Sequence, residues 1–292
     1  LLSPTVFSSS YNLNDYNNVL YVSNSGNDST GNGSISNPYA TVSKAVTISN
    51  SGDAVYIKAG EYDVTNPGVT GYAAGGLNNS GKNIDFIGDS NETVLKINVD
   101  GVNTGYRDVH FYSGTGFSKV YNMIFIRDSR GRTANYSNAF FGDPHAVVKG
   151  EIYNSVFKTI NCSTPAMTYC NIGSVQVKVY NSVFELEANM VGSYTGASNN
   201  TQIINSVNNY SFYNDANYYS NNLENASFDE DYNVLTAGWQ NTGLGLDTDG
   251  SQADLGVYGG LDSWGLTAVP EISNIILLSI GLLSVLKVKK IL

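Results

Sequence analysis

The six residues VYNMIF at positions 120–125 return as IYNSVF at 152–157, as VYNSVF at 179–184 and, more weakly, as IINSVN at 203–208. The copies begin 32, 27 and 24 residues apart, which suits one coil of a solenoid with loops of varying length. Before the third copy, Val175, Val177 and Val179 alternate with polar residues, the period of a half-buried strand. The repeat therefore predicts an all-β fold in which similar strands stack coil upon coil.

Within the repeat, asparagine and phenylalanine recur at fixed offsets. Stacked at the ~4.8 Å strand spacing, the asparagine amides would hydrogen-bond in a ladder at one corner of the coils, and the phenylalanines would stack just beyond it. Chance is the alternative in an asparagine-rich chain, but it does not also supply the flanking residues at matching offsets. The predicted ladder is Asn122, Asn154, Asn181 and Asn205, and the predicted stack is Phe125, Phe157 and Phe184.

The composition describes a folded, acidic protein. Of 292 residues, 15 are Lys or Arg and 25 are Asp or Glu, giving a formal charge of −10 and a pI near 4.5. This balance argues against nucleic acid as a partner, because phosphate binding needs a basic surface. The chain holds 37 asparagines, 30 glycines and 21 tyrosines, a composition rich in turn and strand formers. An extracellular body is the simplest interpretation.

Both ends of the predicted solenoid carry a family resemblance. YVSNSGNDSTGNGSISNPYATVSKAV and GDAVYIKAGEY, within residues 21–62, resemble the N-terminal coil and cap of secreted β-helix proteins of the pectate-lyase-like superfamily. DYNVL at 231–235 and DTDGSQADLGVYGG at 247–260 resemble their closing segment. The resemblance implies a single-stranded right-handed parallel β-helix over residues 19–262, with a short capping helix near its N-terminus. Pro38 would stand near the helix start, and Val42, Ala45, Val46 and Ile48 would plug the first coil.

Outside the predicted helix domain, residues 1–18 form a predicted flexible segment and residues 263–292 a linker plus a C-terminal helix. The apolar run ISNIILLSIGLLSVL at 272–286, closed by three lysines, is a marginal membrane helix at about 1.5 Å per residue. With the preceding Val269-Pro270-Glu271 it resembles a PEP-CTERM sorting signal, although Ile272 replaces the second proline and lysines replace arginines. The resemblance implies that residues 270–292 meet an exosortase-like processing enzyme or the membrane, and that the protein is retained at the cell surface or in the extracellular matrix.

Two cysteines, Cys162 and Cys170, lie eight residues apart with no metal-ligand spacing around them. A short local disulfide in an oxidising compartment is predicted, and two buried thiols are the alternative.

All four arginines and both histidines fall within residues 107–145. Clustered guanidinium groups can bind a carboxylated sugar, while a neighbouring Asp or His moves a proton. The candidate catalytic residues are Arg127, Asp128, Asp143 and His145, and the candidate substrate-binding residues are Arg107, His110, Arg130 and Arg132. The alternative is structural: Arg127 and Asp128 pair with neighbours and pin a long loop.

A cluster of acidic residues near the C-terminal end offers oxygen ligands for Ca²⁺, namely Asp247, Asp249 and Asp254. The spacing is not that of an EF-hand, and the alternative is a turn that ends the stack.

Three functions fit these patterns. The first is a secreted cell-surface or extracellular-matrix protein with a structural or carbohydrate-binding role toward a polysaccharide or cell-envelope glycan. The second is a polysaccharide lyase or glycoside hydrolase acting on acidic glycans, a hypothesis that rests on the resemblance. The third is self-association into a filament, with residues 1–18 as the displaced piece.

Overall fold

The computed structural model describes residues 11–65, 76–98, 109–110, 117–130, 139–142, 148–162, 166–169, 174–188, 191–193, 198–199, 202–204, 206–208, 219–220, 225–230, 232, 235–236 and 256–257. Within them the chain is an all-β parallel β-helix with a short α-helix near its N-terminus, which confirms this part of the predicted fold class. The C-terminal helix predicted at 272–286 lies outside these residues. In the described part of the chain, no helix is long and apolar enough to cross a membrane.

The described elements follow in chain order. A one-turn 3₁₀-helix spans Leu13–Asp15, and α1 spans Val42–Ile48. The strands are β1 (Val19–Val22), β2 (Ala54–Ile57), β3 (Gly60–Asp63), β4 (Leu77–Asn78), β5 (Asp85–Gly88), β6 (Thr93–Asn98), β7 (Val109–His110), β8 (Ser118–Tyr121), β9 (Ile124–Asp128), β10 (Ala139–Gly142), β11 (Val148–Tyr153), β12 (Val156–Ile160), β13 (Ala166–Tyr169), β14 (Ser174–Tyr180), β15 (Val183–Glu185), β16 (Val191–Ser193), β17 (Ser198–Asn199), β18 (Gln202–Ile204), β19 (Val207–Asn208) and β20 (Tyr219–Ser220).

Three parallel sheets form the walls of the helix. Sheet 1 has the order β1-β2-β5-β8-β11-β14-β18-β20, with β17 also on β14; sheet 2 runs β3-β6-β9-β12-β15-β19; sheet 3 runs β4-β7-β10-β13-β16. Each coil visits sheet 1, then sheet 2, then sheet 3, so residues one coil apart become hydrogen-bonded neighbours. This pattern explains the repeat phrase, because each copy ends a strand of sheet 1 and begins the next strand in sheet 2.

The corner between sheets 1 and 2 is where the repeated asparagines stand. Asn122, Asn154 and Asn181 have φ values of 57°, 48° and 45°, the left-handed conformation that asparagine tolerates better than most residues. The predicted position is therefore confirmed for these three, and Asn205 lies outside the described residues. Asparagine is used here because the chain must turn sharply within one residue.

A hydrogen-bonded ladder at this corner is built from serine, and at the step from Asn122 to Asn154 the predicted amide ladder is wrong. No amide–amide hydrogen bond joins Asn122 to Asn154. Instead, the backbone N–H of Ser155 donates to Ser182 Oγ at 3.2 Å, and that of Ser182 donates to Ser206 Oγ at 3.1 Å. Ser155 and Ser182 are buried, and each hydroxyl also donates to the carbonyl two residues before it. The asparagine provides the backbone conformation, and the serine after it provides the bonds between coils.

Inside the coils, the predicted phenylalanine stack is confirmed. The phenylalanine row consists of Phe125, Phe157 and Phe184, all fully buried. Their ring centroids lie 4.9 and 5.1 Å apart, with interplanar angles of 4° and 14°. The row forms part of a continuous core of aliphatic and aromatic side chains that runs the length of the described coils.

The helix α1 closes the N-terminal end of this core. Thr41 caps its first turn by accepting a hydrogen bond from the Lys44 N–H, and Val42, Ala45 and Val46 are buried as predicted. The prediction for Ile48 is wrong, since 46% of this residue is exposed. At about 100° per residue, position 48 lies on the side of the helix opposite position 46.

Both ends of the described chain return to cover an outer sheet surface. Tyr11, Leu13 and Tyr16 pack on the outside of sheet 1, although residues 1–18 are predicted to be flexible. On the outside of sheet 2, a second apolar cluster joins Ile124, Val156 and Val183 to residues from the C-terminal part, namely Ala226, Phe228, Tyr232 and Val257.

Candidate functional site

Arg127 and Asp128, two described residues of the arginine-rich region, lie on opposite faces of one strand. Arg127 lies in β9 and is fully buried, whereas the next residue, Asp128, is partly exposed. Successive residues of a strand face opposite sides of the sheet, so Arg127 points into the coil and Asp128 away from it. The two side chains are therefore not presented together to solvent.

Asp128 takes part in a turn. Its Oδ1 accepts the backbone N–H of Arg130 at 2.9 Å and the side-chain amide of Asn161 at 3.0 Å. Arg130 and Asn161 both have positive φ values, 48° and 55°, so the carboxylate stabilises two adjacent left-handed turns on neighbouring coils. These contacts support the structural interpretation of Asp128.

Most of the remaining predicted site residues lie outside the part of the chain that the structure describes. His110 lies in β7, where its backbone pairs with Asn78. The residues that lie outside the described part are Arg107, Arg132, Asp143 and His145, together with Asp247, Asp249 and Asp254. Among the described residues no group of three or more His, Cys, Asp or Glu could hold a metal ion. Cys162 is buried and its predicted partner Cys170 is not described, so the disulfide, like the calcium site, stays a prediction.

The outer surface of sheet 1 carries a row of aromatic side chains. Strand pairing places one residue of each strand directly beside its counterpart: Tyr21, Tyr56, Ile87, Tyr121, Tyr153, Tyr180 and Ile204. We call this set the tyrosine row. The rings of Tyr121, Tyr153 and Tyr180 stack at 5.1 and 4.9 Å with interplanar angles of 10° and 7°. Adjacent ring faces cover one another, so the row presents ring edges and hydroxyl groups to solvent.

Two residues before each tyrosine-row position, a polar row runs in parallel. It consists of Asp85, Lys119, Glu151, Lys178 and Gln202, and Ala54 holds the corresponding place on β2. Opposite charges stand on neighbouring strands, as in Lys119 Nζ and Glu151 Oε2 at 3.9 Å, and such cross-strand pairs support the register modestly. The two rows are joined by hydrogen bonds, because Tyr153 donates its hydroxyl to Glu151 Oε2 at 2.7 Å.

The described N-terminal residues, 11–18, pack over one end of this double row. Residues 11–18, which we call the strap, lay Tyr11, Leu13 and Tyr16 against Ala54, Ile87 and Tyr121. Beneath the strap Ala54 and Ile87 are fully buried and Tyr121 is 3% exposed. We call the residues of β2, β5 and β8 in the two rows the covered rungs, namely Ala54, Tyr56, Asp85, Ile87, Lys119 and Tyr121. The strap buries Ala54, Ile87 and Tyr121 and leaves Tyr56 and Lys119 partly exposed, the Lys119 side chain to 37%.

The other half of the double row is accessible. The residues of β11, β14 and β18 form the open rungs, namely Glu151, Tyr153, Lys178, Tyr180, Gln202 and Ile204. Lys178 and Gln202 are exposed, while Tyr153, Tyr180 and Ile204 are partly exposed and the Glu151 side chain is 18% exposed. The surface thus alternates apolar ring edges with an anion, a cation and an amide.

The pKa values of the tyrosine hydroxyl groups in the open rungs are raised. It raises the pKa of Tyr153, and the hydrogen bond to Glu151 and the charge of that carboxylate raise it further. Burial, and then the charge of Glu151, also raises the pKa of Tyr180. Tyrosine is a neutral hydrogen-bonding group at neutral pH with its ordinary pKa, and the raised values extend the neutral form to higher pH.

Sequence reasoning missed the tyrosine row, although a signal was present. Three copies of the repeat phrase carry tyrosine directly before the asparagine, as Tyr121, Tyr153 and Tyr180. Each of these tyrosines directly follows an inward-facing residue, namely Val120, Ile152 and Val179, so the alternation of the strand places it on the outer surface. This position was not followed from coil to coil, because the charged residues drew attention elsewhere.

Comparison with known proteins supports the architecture at the N-terminal end. Residues 24–69 match the family described as "Protein of unknown function (DUF1565)", a family of right-handed β-helix proteins. No curated protein and no solved structure matches the chain. The matched residues include α1, β2 and β3, the cap and the beginning of the first coil. Over this part, and on the β-helix architecture, the chain is similar to that family.

Proposed function

We propose that this is a secreted, surface-retained β-helix protein that binds a polysaccharide along its open rungs. The observation that carries the proposal is the accessible half of the tyrosine row, with Glu151, Lys178 and Gln202 beside it. Secretion and retention at the surface rest on the acidic, asparagine-rich composition and on the resemblance of residues 269–292 to a sorting signal.

The chemistry of the open rungs suits a sugar chain. A pyranose ring has apolar C–H faces and a rim of hydroxyl groups, so it needs a partner that supplies apolar edges and hydrogen-bonding groups together. Tyrosine supplies both from one side chain. Glu151 accepts hydrogen bonds, Lys178 donates them, and Gln202 does both. The ladder geometry repeats this combination on consecutive strands, which suits a ligand that is itself a repeating chain.

The size of the open rungs favours a short, extended ligand. Three strands at ~4.8 Å spacing, with about four residues each at ~3.3 Å, give a surface of about 200 Å². A stable protein–protein interface buries about 800 Å² on each partner. A few sugar units of a polysaccharide match the smaller area, and many such contacts along a matrix polymer would add avidity.

The test is a binding screen of the full chain against neutral and acidic polysaccharides, with and without Ca²⁺, by affinity electrophoresis and calorimetry. Tyr180→Ala is expected to weaken binding by about fivefold or more, as loss of a central contact residue does. The matched control is Tyr21→Ala, which removes a tyrosine of the same row at the opposite end of sheet 1 and leaves binding unchanged. Equal losses in both variants, or no binding across the panel, would refute the proposal.

The same screen separates binding from catalysis. A lyase would release an unsaturated uronate, which is followed by its ultraviolet absorbance. Product formation by the wild-type chain that disappears in His145→Ala would establish the enzyme hypothesis in place of the binding role.

A further inference from the structure

The strap lies on the same outer surface of sheet 1 as the open rungs. The covered rungs repeat the chemistry of the open ones. Tyr56 and Tyr121 stand in the tyrosine row, with Asp85 and Lys119 in the polar row beside them. Without the strap, the double row of sheet 1 would run unbroken from β2 to β18.

The strap makes contacts that resemble those of a bound sugar. The ring of Tyr11 lies against the ring of Tyr121 with a centroid distance of 5.3 Å, tilted by 56°. The hydroxyl of Tyr16 donates to Asp85 Oδ2 at 2.9 Å. One ring packed against tyrosine and one hydroxyl donated to a carboxylate are also what a pyranose offers to this surface.

Among the described residues, backbone hydrogen bonds attach the strap to the coils at its C-terminal end. There, Asn17 donates its N–H to the carbonyl of Gly52 at 2.9 Å, and the Asn18 carbonyl accepts the N–H of Ala54 at 2.9 Å. Asn18 Nδ2 also donates to Asp53 Oδ1 at 3.0 Å. These bonds continue directly into β1, so residues 17 and 18 belong to the first coil.

Residues 12–16 are held differently. Among the described residues they make no backbone hydrogen bond to the coils, and the one-turn helix Leu13–Asp15 is closed by its own Asn12. In the part of the chain that the structure describes, they are attached by the Leu13 and Tyr16 side chains and the hydroxyl bond to Asp85. A segment held by side chains can leave the surface without disrupting any strand pairing, because it contributes to no sheet.

We propose that the covered rungs are a latent continuation of the polysaccharide-binding surface, and that a long polysaccharide displaces residues 11–16 to occupy them. This inference rests on the proposed function of the open rungs. The bound chain replaces Tyr11 at Tyr121 and the Tyr16 hydroxyl at Asp85. A short oligosaccharide is accommodated by the open rungs alone and leaves the strap in place.

The experiment compares a short oligosaccharide and the long polymer of the same sugar, taken from the best ligand of the screen. The full chain is tested as wild type and as the double variant Tyr11→Ala with Tyr16→Phe, which loosens the strap. The double variant is expected to bind the polymer roughly fivefold or more tightly, since it no longer competes with an internal occupant, and to bind the oligosaccharide with unchanged affinity. Asn14→Ala, an exposed strap position, is the matched control and changes neither affinity.

A second measurement does not depend on the variants. Brief chymotrypsin digestion of the wild type, with cleavage at residues 11–16 followed by mass spectrometry, is expected to accelerate when saturating polymer is present and to remain unchanged with the oligosaccharide. Unchanged or slower cleavage with polymer, or an equal change in both affinities of the double variant, overturns the inference while the proposed function stands. Absence of binding by the wild type instead refutes the proposed function. Size-exclusion chromatography of each variant confirms that exposure of Ile87 has not caused aggregation.

Discussion

The phenylalanine row and the stacked tyrosines occupy the two sides of the same corner and have almost the same geometry. Ring separations are 4.9 and 5.1 Å inside, and 5.1 and 4.9 Å outside. In-register parallel strands impose this spacing on any side chain that recurs once per coil. The rows differ in burial, because the phenylalanines are fully buried, whereas Tyr153 and Tyr180 are partly exposed.

This difference separates stability from recognition. The inner row excludes water along the length of the core, so each ring contributes its full transfer free energy. The outer row gains less from burial but keeps its hydroxyl groups accessible. We therefore expect substitutions in the inner row to change the free energy of unfolding and substitutions in the outer row to change binding.

The largest effect is expected from Phe157→Ala. The ring lies between two stacked neighbours and is fully buried, so its removal leaves a cavity that the coils cannot close. The free energy of unfolding should fall by about 3–5 kcal/mol, measured by urea denaturation. If Phe157→Ala lowered the free energy of unfolding by less than Tyr180→Ala does, the proposed difference between the inner and outer rows would be wrong.

The corner that separates the rows is tested by Asn154→Ala. Alanine at the left-handed φ of 48° should destabilise the protein by about 1–2 kcal/mol. Asn154→Gly is the matched control, since glycine adopts this conformation without strain, and it should lose less stability. If Asn154→Gly were more destabilising than Asn154→Ala, the left-handed backbone conformation would not be the main reason for asparagine at this position.

A smaller effect concerns the acid beneath the strap. Burial raises the pKa of Asp85, and the negative charge of Glu151 adds to this shift. Hydrogen bonds from the Lys119 N–H and the Tyr16 hydroxyl, together with the charge of Lys119, oppose it. Because the folded-state pKa exceeds the unfolded one, the folded protein binds more protons between the two values, and the stability contributed by this group falls as pH rises through the folded-state pKa.

Asp85→Asn removes that titration. The variant is expected to be slightly more stable than the wild type at pH 7, and the difference should shrink as the pH is lowered toward the unfolded-state value near 3.8. Urea unfolding of both proteins across this pH range measures it. A difference that widens on acidification would contradict the expected direction.

The smallest change in stability is expected from Tyr180→Phe. The ring stays in the stack, and the hydroxyl lies on the partly exposed outer surface, so the free energy of unfolding should change by less than about 0.5 kcal/mol. Polysaccharide binding should nevertheless weaken, because the hydroxyl is one of the groups offered to the sugar. Unchanged binding in calorimetry would show that ring edges alone carry the contact.

Much of the architecture could be predicted from the sequence because particular residue types recur at fixed positions of the repeat. Asparagine at the corner, phenylalanine after it and alternating valines before it each follow from the local backbone conformation or from the two-residue period of a strand. The serine ladder was not predicted, because Ser155, Ser182 and Ser206 follow the asparagines and serine is common in turns of any kind.

The functional surface was less accessible to prediction. Arginine, aspartate and histidine drew attention to residues 107–145 by their chemistry, yet Arg127 proves to be fully buried and Asp128 to stabilise a turn. Tyrosine, by contrast, is spread through the chain, and no single copy marks a site. A row emerges only when residues about 30 positions apart are brought into register, as Tyr121, Tyr153 and Tyr180 are.

The sequence by itself determined the coil, since the period of the repeat and the left-handed asparagine turn are local properties of the chain. Only the tertiary structure decided which half of the tyrosine row is accessible. That outcome depends on where the strap lies, and Tyr11 and Tyr16 reach Tyr121 and Asp85 across more than 60 residues of chain. Such contacts are held by side-chain packing and one hydroxyl bond, which leave no periodic pattern in the sequence.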